Sequence, residues 1–406
     1  MIIPLIQIKQ KNEYMYTSKM KVRDMKNYVK LNFRYPYINK DSNNKSSKKL
    51  YEYIQMLEKK GLKVECSKNG MQRQIQLERL NQIASFIEEI NNIIPNAIIL
   101  GCYDRRIEQG KSEKDYQEQL NIIDKNLGVF SLDLNSYHEM IVIDGQHRLG
   151  GYFYSKSNEV LDMEVPVVIL FGPSLSVASK IFIDINKNQK SVDSSMIYDL
   201  TAVLESEYDD YKLKGKEIGK IRDCHNIIKA LNSNEKSPLY NNIRMLGTGE
   251  GLLSQAFLVE TIYPIITRGV MKELGVQEQL NEIYIFLKAI QRVFKDDWPV
   301  LEYGMTKGEQ KQHYEYVMKY KKSQLPKTLG MGALFMVFPK MYKKCNGKYE
   351  SYEYYLSKLT GKIVWSKFDY LDRGSEKSNL VFIEGTNKVA IKNLSAEIEN
   401  IIFDNR

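Results

Sequence analysis

The spacing of apolar positions along the chain changes character near residue 191. Before it, short apolar runs of strand length alternate with segments of helical period. Residues 1–8 and 14–18 read as strands, 41–49 as a polar loop and 51–60 as a helix. Between residues 74 and 94, Ile75, Leu77, Leu80, Ile83, Ala84, Ile87 and Ile90 fall on one helical face, and Pro95 ends it. Residues 97–100, 139–143 and 165–171 are short apolar strands. Asp144-Gly145 breaks the second, and a helix carrying Gly150 and Gly151 on one side is expected over 147–154. Gly172-Pro173-Ser174 turns the third into a helix over 176–188. This alternation is the logic of an α/β domain.

Beyond that point the pattern is mostly helical. A long helical stretch capped by Asp193 or Ser194 is expected over 193–232, with further helices over 252–267, 277–294 and 309–322. Residues 329–342 are apolar and contain glycine, and Ser395 should cap a short last helix over 395–403. Segments 380–383 and 389–391 look strand-like and predict a small β element. The expected organisation is an α/β domain over 1–195 followed by a mainly helical region over 196–406.

Composition narrows the function classes. In 406 residues no apolar run reaches the length of a membrane span, and the start of the chain lacks signal-peptide features. A cytoplasmic protein without membrane contact is expected. The four cysteines are scattered, with no C-x-x-C pair, so no disulfide framework is predicted. Cys224-His225 is the one adjacent pair of a cysteine and a histidine and sits in a helical pattern. The net charge of +9 is uneven: residues 1–75 carry 17 Lys and Arg against 6 Asp and Glu, and 307–348 carry 10 against 2. Blocks of this kind suit a polyanion, because each neutralised phosphate releases counterions. DNA is the expected partner, with Lys45, Lys48 and Lys49 as candidate phosphate contacts. The Asp104-Arg105-Arg106 triplet reads either as a nucleotide or DNA contact or as a charged loop. Gly247, Gly249 and Gly251 precede a helix without a preceding strand and read as a loop rather than a dinucleotide fingerprint.

The segment with the most chemistry is Asp144-Gly145-Gln146-His147-Arg148, at a strand-to-helix junction. A helix start of this kind offers backbone N–H groups and positive potential to an anion, here around Gly145. Arg148 can fork onto two phosphate oxygens. Asp144 could hold a metal through water or orient His147, Gln146 could position a water, and His147 could exchange a proton near neutral pH. Phosphoryl transfer needs this positioning and charge neutralisation.

The run from Ile143 to Leu149 is similar to the signature of the DGQHR-domain family, which includes the B component of DNA phosphorothioation gene clusters. Phe182 to Val192 resembles that family's Phe-x-x-Ile-Asn-x-x-Gln-Lys-x-Val element, Gln72-Arg73 gives a weaker match, and Pro4, Gln7, Tyr14 and Tyr16 fit its opening strands. The matches span roughly residues 1–200. The resemblance extends to the ParB/sulfiredoxin superfamily and implies a ParB/sulfiredoxin-like mixed-sheet fold. It places Gly145, Arg148, Asn186, Gln189 and Arg73 around a nucleotide, with Asp144, Gln146 and His147 as catalytic candidates. It implies an NTP of unspecified base, with Mg²⁺ at Asp144, and a DNA-directed NTPase of a bacterial DNA-modification or phage-defence system. Two alternatives stay open: a non-catalytic DNA-binding transcriptional regulator, and a ParB-like nuclease. A homo-oligomer is compatible with each.

Overall fold

The computed structural model describes residues 1–11, 13–34, 45–67, 70, 77–89, 91–107, 116–186, 194–247, 251–269, 271–299, 307–317, 321–345, 348–372 and 380–403. They form two units, one of residues 1–192 with 203–205 and the other of 193–202 with 206–406.

The first unit is organised on a nine-stranded mixed sheet of order β4-β3-β8-β5-β9-β2-β1-β7-β6. Its strands are β1 (Ile2–Gln10), β2 (Glu13–Lys21), β3 (Val29–Arg34), β4 (Lys63–Ser67), β5 (Ile98–Asp104), β6 (Asn121–Asp124), β7 (Val129–Asp133), β8 (His138–Asp144) and β9 (Glu164–Phe171). Strands β3, β4 and β8 run parallel to one another and β5 is parallel to β9, whereas β5–β8, β9–β2, β2–β1, β1–β7 and β7–β6 are antiparallel. Helices α1 (Val22–Tyr28), α2 (Lys45–Lys59), α3 (Leu77–Glu88), α4 (Gln146–Tyr154) and α5 (Leu175–Asn186) complete it. Alternation along β9 buries Val165, Val167, Ile169 and Phe171, and along β3 it buries Val29, Leu31 and Phe33. Leu57 from α2, Leu80 from α3, and Leu149 and Phe153 from α4 join the same core.

Glycine sets how closely α4 approaches its neighbours. A Cβ on Gly151 would lie 2.4 Å from Ile83 Cγ2 of α3, and one on Gly150 would lie 2.4 Å from the Tyr53 hydroxyl of α2.

The second unit is mainly helical. It holds α6 (Ser194–Leu200), α7 (Ile218–Ser233), α8 (Gln255–Arg268), α9 (Val276–Val293), α10 (Lys307–Tyr316), α11 (Thr328–Cys345), α12 (Tyr349–Ser357), α13 (Lys367–Asp372) and α14 (Lys388–Phe403). Two short pairs, β10–β11 (Lys212–Leu213 with Lys216–Glu217) and β12–β13 (Ile243–Arg244 with Leu253–Ser254), are its only named strands among the described residues. Its centre is aromatic: Phe286 of α9, Phe335 and Phe338 of α11 and Tyr352 of α12 stack within 6.3 Å between ring centroids.

Several expectations need correction. The continuous helix over 193–232 is instead α6, short 3-10 turns, the β10–β11 hairpin and α7. Lys214 and Gly215 take φ of 51° and 78°, the left-handed pair that closes a two-residue hairpin. Residues 389–391 are helical, inside α14, and 380–383 contributes only the single bridge between Ile363 and Val381. Ser395 therefore lies inside the helix, its hydroxyl donating to Lys392 O, and Asn387 caps the start by accepting from Ala390 N. Helix α2 begins at Lys45, within the expected loop, because lysine is a good helix former and Tyr53, Ile54 and Leu57 bury one face. Helix α3 stops at Glu88 rather than near residue 94, where Asn91-Asn92 turns the chain.

Candidate functional site

Strand β8 stops at Asp144 because Gly145 takes φ +100° and ψ 13°, a left-handed conformation. The same position is crowded: a Cβ there would come within 3.0 Å of Arg148 Nη2 and 3.3 Å of Ile98 Cα. Glycine thus serves both the backbone conformation and the close approach of the arginine. Helix α4 starts at Gln146 with no side-chain cap from Gly145, and the positive end of its dipole lies at that junction.

Arg148 lies one turn into α4 and folds back. Its Nη2 donates to Asp144 Oδ2 at 2.8 Å and to Ala97 O at 3.0 Å. The side chains of Arg148 and Asp144 are 24% and 22% exposed, so the pair sits at the rim of the core. Arg148 Nε is buried with no hydrogen-bond partner, and so is Gln146 Oε1. Gln146 and His147 are themselves buried. Each such unpartnered buried group carries a desolvation cost of about 1–3 kcal/mol.

Helix α5 packs on β8 and ends at Asn186. The Asn186 side chain is buried, and its Nδ2 donates to Phe182 O at 2.8 Å, back into its own helix. The fold brings together Asp144, Gly145, Gln146, His147 and Arg148 and sets the α5 helix against the same strand. Arg73 and Gln189 lie outside the described residues. Lys45, Lys48 and Lys49 fall in the first five residues of α2, where only the backbone is described. Two groups that the sequence did not single out are hydroxyls buried without a partner, Tyr53 Oη on α2 and Ser179 Oγ on α5. Burial pushes the Tyr53 phenol far above its ordinary value. No sequence signal would have found them, since a lone Tyr or Ser on an apolar face looks like packing.

The opposite end of β8 holds a different cluster. Glu139 is paired with Lys30 of β3 at 2.7 Å and with Arg105 at 2.9 Å, and Lys30 also reaches Glu65 of β4 at 2.6 Å. Asp104, fully buried, receives Arg106 Nη2 at 2.5 Å and faces His138 Nε2 at 3.7 Å. Hydrogen bonds from Arg106 outweigh burial and pull the Asp104 carboxyl down to about 2. Burial pushes the His138 imidazole down despite nearby Asp104. The Asp104-Arg105-Arg106 triplet is therefore tied into the sheet by ion pairs.

In the second unit Cys224 and His225 are buried in α7, and His225 Nδ1 bonds to Gln255 Nε2 at 2.9 Å. No group of three or more His, Cys, Asp or Glu side chains among the described residues is arranged to hold a metal ion. No helix among them is long and apolar enough to cross a membrane.

Compared with models of known protein families, residues 3–367 match the family described as DndB, DNA-sulfur modification-associated. No curated protein and no solved structure matches the chain.

Proposed function

We propose a function from one premise: the chain belongs to the DndB family of DNA-sulfur modification-associated proteins, whose model covers nearly all of it. Within such a system it acts on DNA and binds a nucleotide phosphate at the junction of β8 and α4, in a ParB/sulfiredoxin-like manner. One observation carries the reading: Arg148 Nε, buried and unpartnered, lies against left-handed Gly145 at the start of α4, where no side chain caps the helix. A phosphate oxygen would take the guanidinium N–H and the N–H groups of the first turn together. To reach them it must open the contact between Asp144 and Arg148, and the released carboxylate is then free for the solvation shell of Mg²⁺. The donor set fits that ion in only one way. Mg²⁺ keeps most of its waters and takes one or two carboxylates plus phosphate oxygens, and the motif offers one carboxylate. In this reading His147 and Gln146 orient a water for hydrolysis. The basic N-terminal block, with Lys45, Lys48 and Lys49, supplies the salt-dependent contact to DNA.

A second reading, the non-catalytic DNA-binding regulator, is favoured by a different observation. Arg148 Nη2 is already satisfied by Asp144 and Ala97 O, so the motif also works as a self-contained clasp between β5, β8 and α4.

Calorimetry of the wild type and Arg148→Ala with ATP, GTP, CTP and UTP, with and without Mg²⁺, separates the two. The nucleotide reading expects one nucleotide to bind at the motif and Arg148→Ala to weaken it about 10- to 100-fold, the value of a charge-assisted hydrogen bond. Binding to none of the four, or binding that Arg148→Ala leaves unchanged, makes the clasp reading the correct one. Phosphate release by the wild type, lost in Asp144→Asn with binding retained, would identify a hydrolase.

A further inference from the structure

The second unit holds a cleft with no place in the reading above. It encloses about 510 Å³ between the ends of α11, α12 and α14. That lies within the roughly 300–1,000 Å³ usual for small-ligand pockets. Lys340, Lys343 and Lys344 line it from the last turns of α11, and Lys358 from just beyond α12. Among the described lining residues one carboxylate stands against these four cations, Glu399 of α14, which pairs with Lys340. Lys343 and Lys344 are exposed and have no salt-bridge partner among the described residues.

The rest of the lining is unlike a plain basic surface. Tyr355 and Phe403 pack with ring centroids 5.8 Å apart, forming an aromatic wall. Lys358 Nζ is fixed by Ile402 O at 3.0 Å and stands over the rings of Tyr354 and Tyr355 at 5.1 and 5.2 Å. Asn400 adds an amide. Lysines at the end of a helix also complement its dipole, but that accounts for Lys343 and Lys344 and not for Lys358 or the aromatic wall. The residues on α14 lie beyond the part of the chain that matches the family model, which ends at residue 367. The cleft is therefore partly built from sequence outside the family core.

We propose that this cleft binds a nucleoside di- or triphosphate, at a site separate from the Asp144–Arg148 motif. Lys343, Lys344 and Lys340 take the phosphates, the Tyr355–Phe403 wall stacks the base, and Asn400 meets its polar edge. A net lining charge of +3, four lysines less one glutamate, matches a polyphosphate tail of three or so negative charges. The half-enclosed volume suits one compact ligand better than a continuous strand.

The test uses the full chain in the Arg148→Ala background, where binding at the motif is weakened about 10- to 100-fold, and the cleft is read from the response to its own variants. ATP, inorganic tripolyphosphate and a single-stranded oligothymidylate are titrated in turn. ATP and tripolyphosphate should each bind one site, and Lys343→Glu with Lys344→Glu should weaken both by about 10-fold or more, since each lost ammonium removes a charge-assisted contact. Tyr355→Ala should weaken ATP and spare tripolyphosphate. A parallel Lys343→Gln, Lys344→Gln variant, with unchanged thermal unfolding, guards against a misfolded double reversal and should show a smaller loss in the same direction. No binding of ATP or tripolyphosphate at millimolar concentration overturns the proposal. So does affinity that neither lysine variant moves. Lysine-dependent binding of the oligonucleotide alone also overturns it, and makes the cleft a nucleic-acid contact.

Discussion

The two ends of strand β8 handle charge in opposite ways. At the His138 end each prominent charge has an answer: Glu139 meets Lys30 and Arg105, Lys30 also meets Glu65, and Asp104 meets Arg106. At the Asp144 end one ion pair forms, but the arginine keeps a buried Nε and the neighbouring glutamine a buried Oε1 without partners. A closed network holds strands in register and leaves its buried charges paired. An open one retains hydrogen-bonding capacity that the fold does not use, at a cost in stability. The first end thus spends its buried charges on the sheet, and the second keeps buried polar atoms without partners.

The comparison can be broken by mutation. The largest effect is expected from Lys30→Ala. Its side chain is 17% exposed and its ammonium holds two carboxylates, so its loss leaves Glu139 and Glu65 with only Arg105 in compensation. Breaking such a half-buried pair should cost about 2–3 kcal/mol in denaturant unfolding. A loss under half a kcal/mol, within the scatter of surface changes, would remove the structural role.

Acid should act next, and through Asp104. Its carboxyl lies at about 2 against an ordinary 3.8, so its contribution is present above pH 3.8 and lost as pH falls towards 2. The integrated effect is about 2 kcal/mol. His138, held below its ordinary 6.5, adds in the same direction, because its protonation favours the unfolded chain as pH falls. Unfolding midpoints measured from pH 5 to 2.5 should fall more steeply for the wild type than for Asp104→Asn; parallel profiles would refute the assignment.

The smallest change in stability is expected at the other end. Arg148→Ala removes one partly exposed ion pair and relieves an unpartnered buried N–H, so unfolding should shift by about 1 kcal/mol or less. A loss comparable to that of Lys30→Ala would mean that the motif, too, is chiefly a clasp.

How far these features could be read from sequence depends on periodicity. Strands β1, β2, β5, β8 and β9 were legible because their apolar runs are dense. Strand β3 was not: Val29, Leu31 and Phe33 alternate with Lys30, Asn32 and Arg34 in a lysine-rich stretch that hides a period of two. The break near Lys214-Gly215 was missed because left-handed backbone is only weakly encoded. Val389 and Ile391 looked like a strand because β-branched side chains favour sheets, yet burial of Ala390, Leu394, Ile398 and Ile402 on one face makes the segment helical. At the site, the sequence placed the Asp144-to-Arg148 turn and its helix. It could not reveal that Arg148 folds back onto Ala97 O or that Arg105 pairs with Glu139, since both depend on segments distant in sequence meeting in space.

The strand order has a consequence in time. Hairpin β1–β2 can form as soon as it is made, but its outer neighbours are β7 and β9, with Ile3 opposite Leu132 and Tyr16 opposite Ile169. During synthesis both edges of the hairpin therefore wait, open, until residues far downstream emerge. Loop closure over such separations is entropically slow, so the first unit should fold late and in one cooperative step. A ribosome-stalled chain that ends before β9 would present β2 as an unpaired edge, the kind of surface on which nascent chains associate.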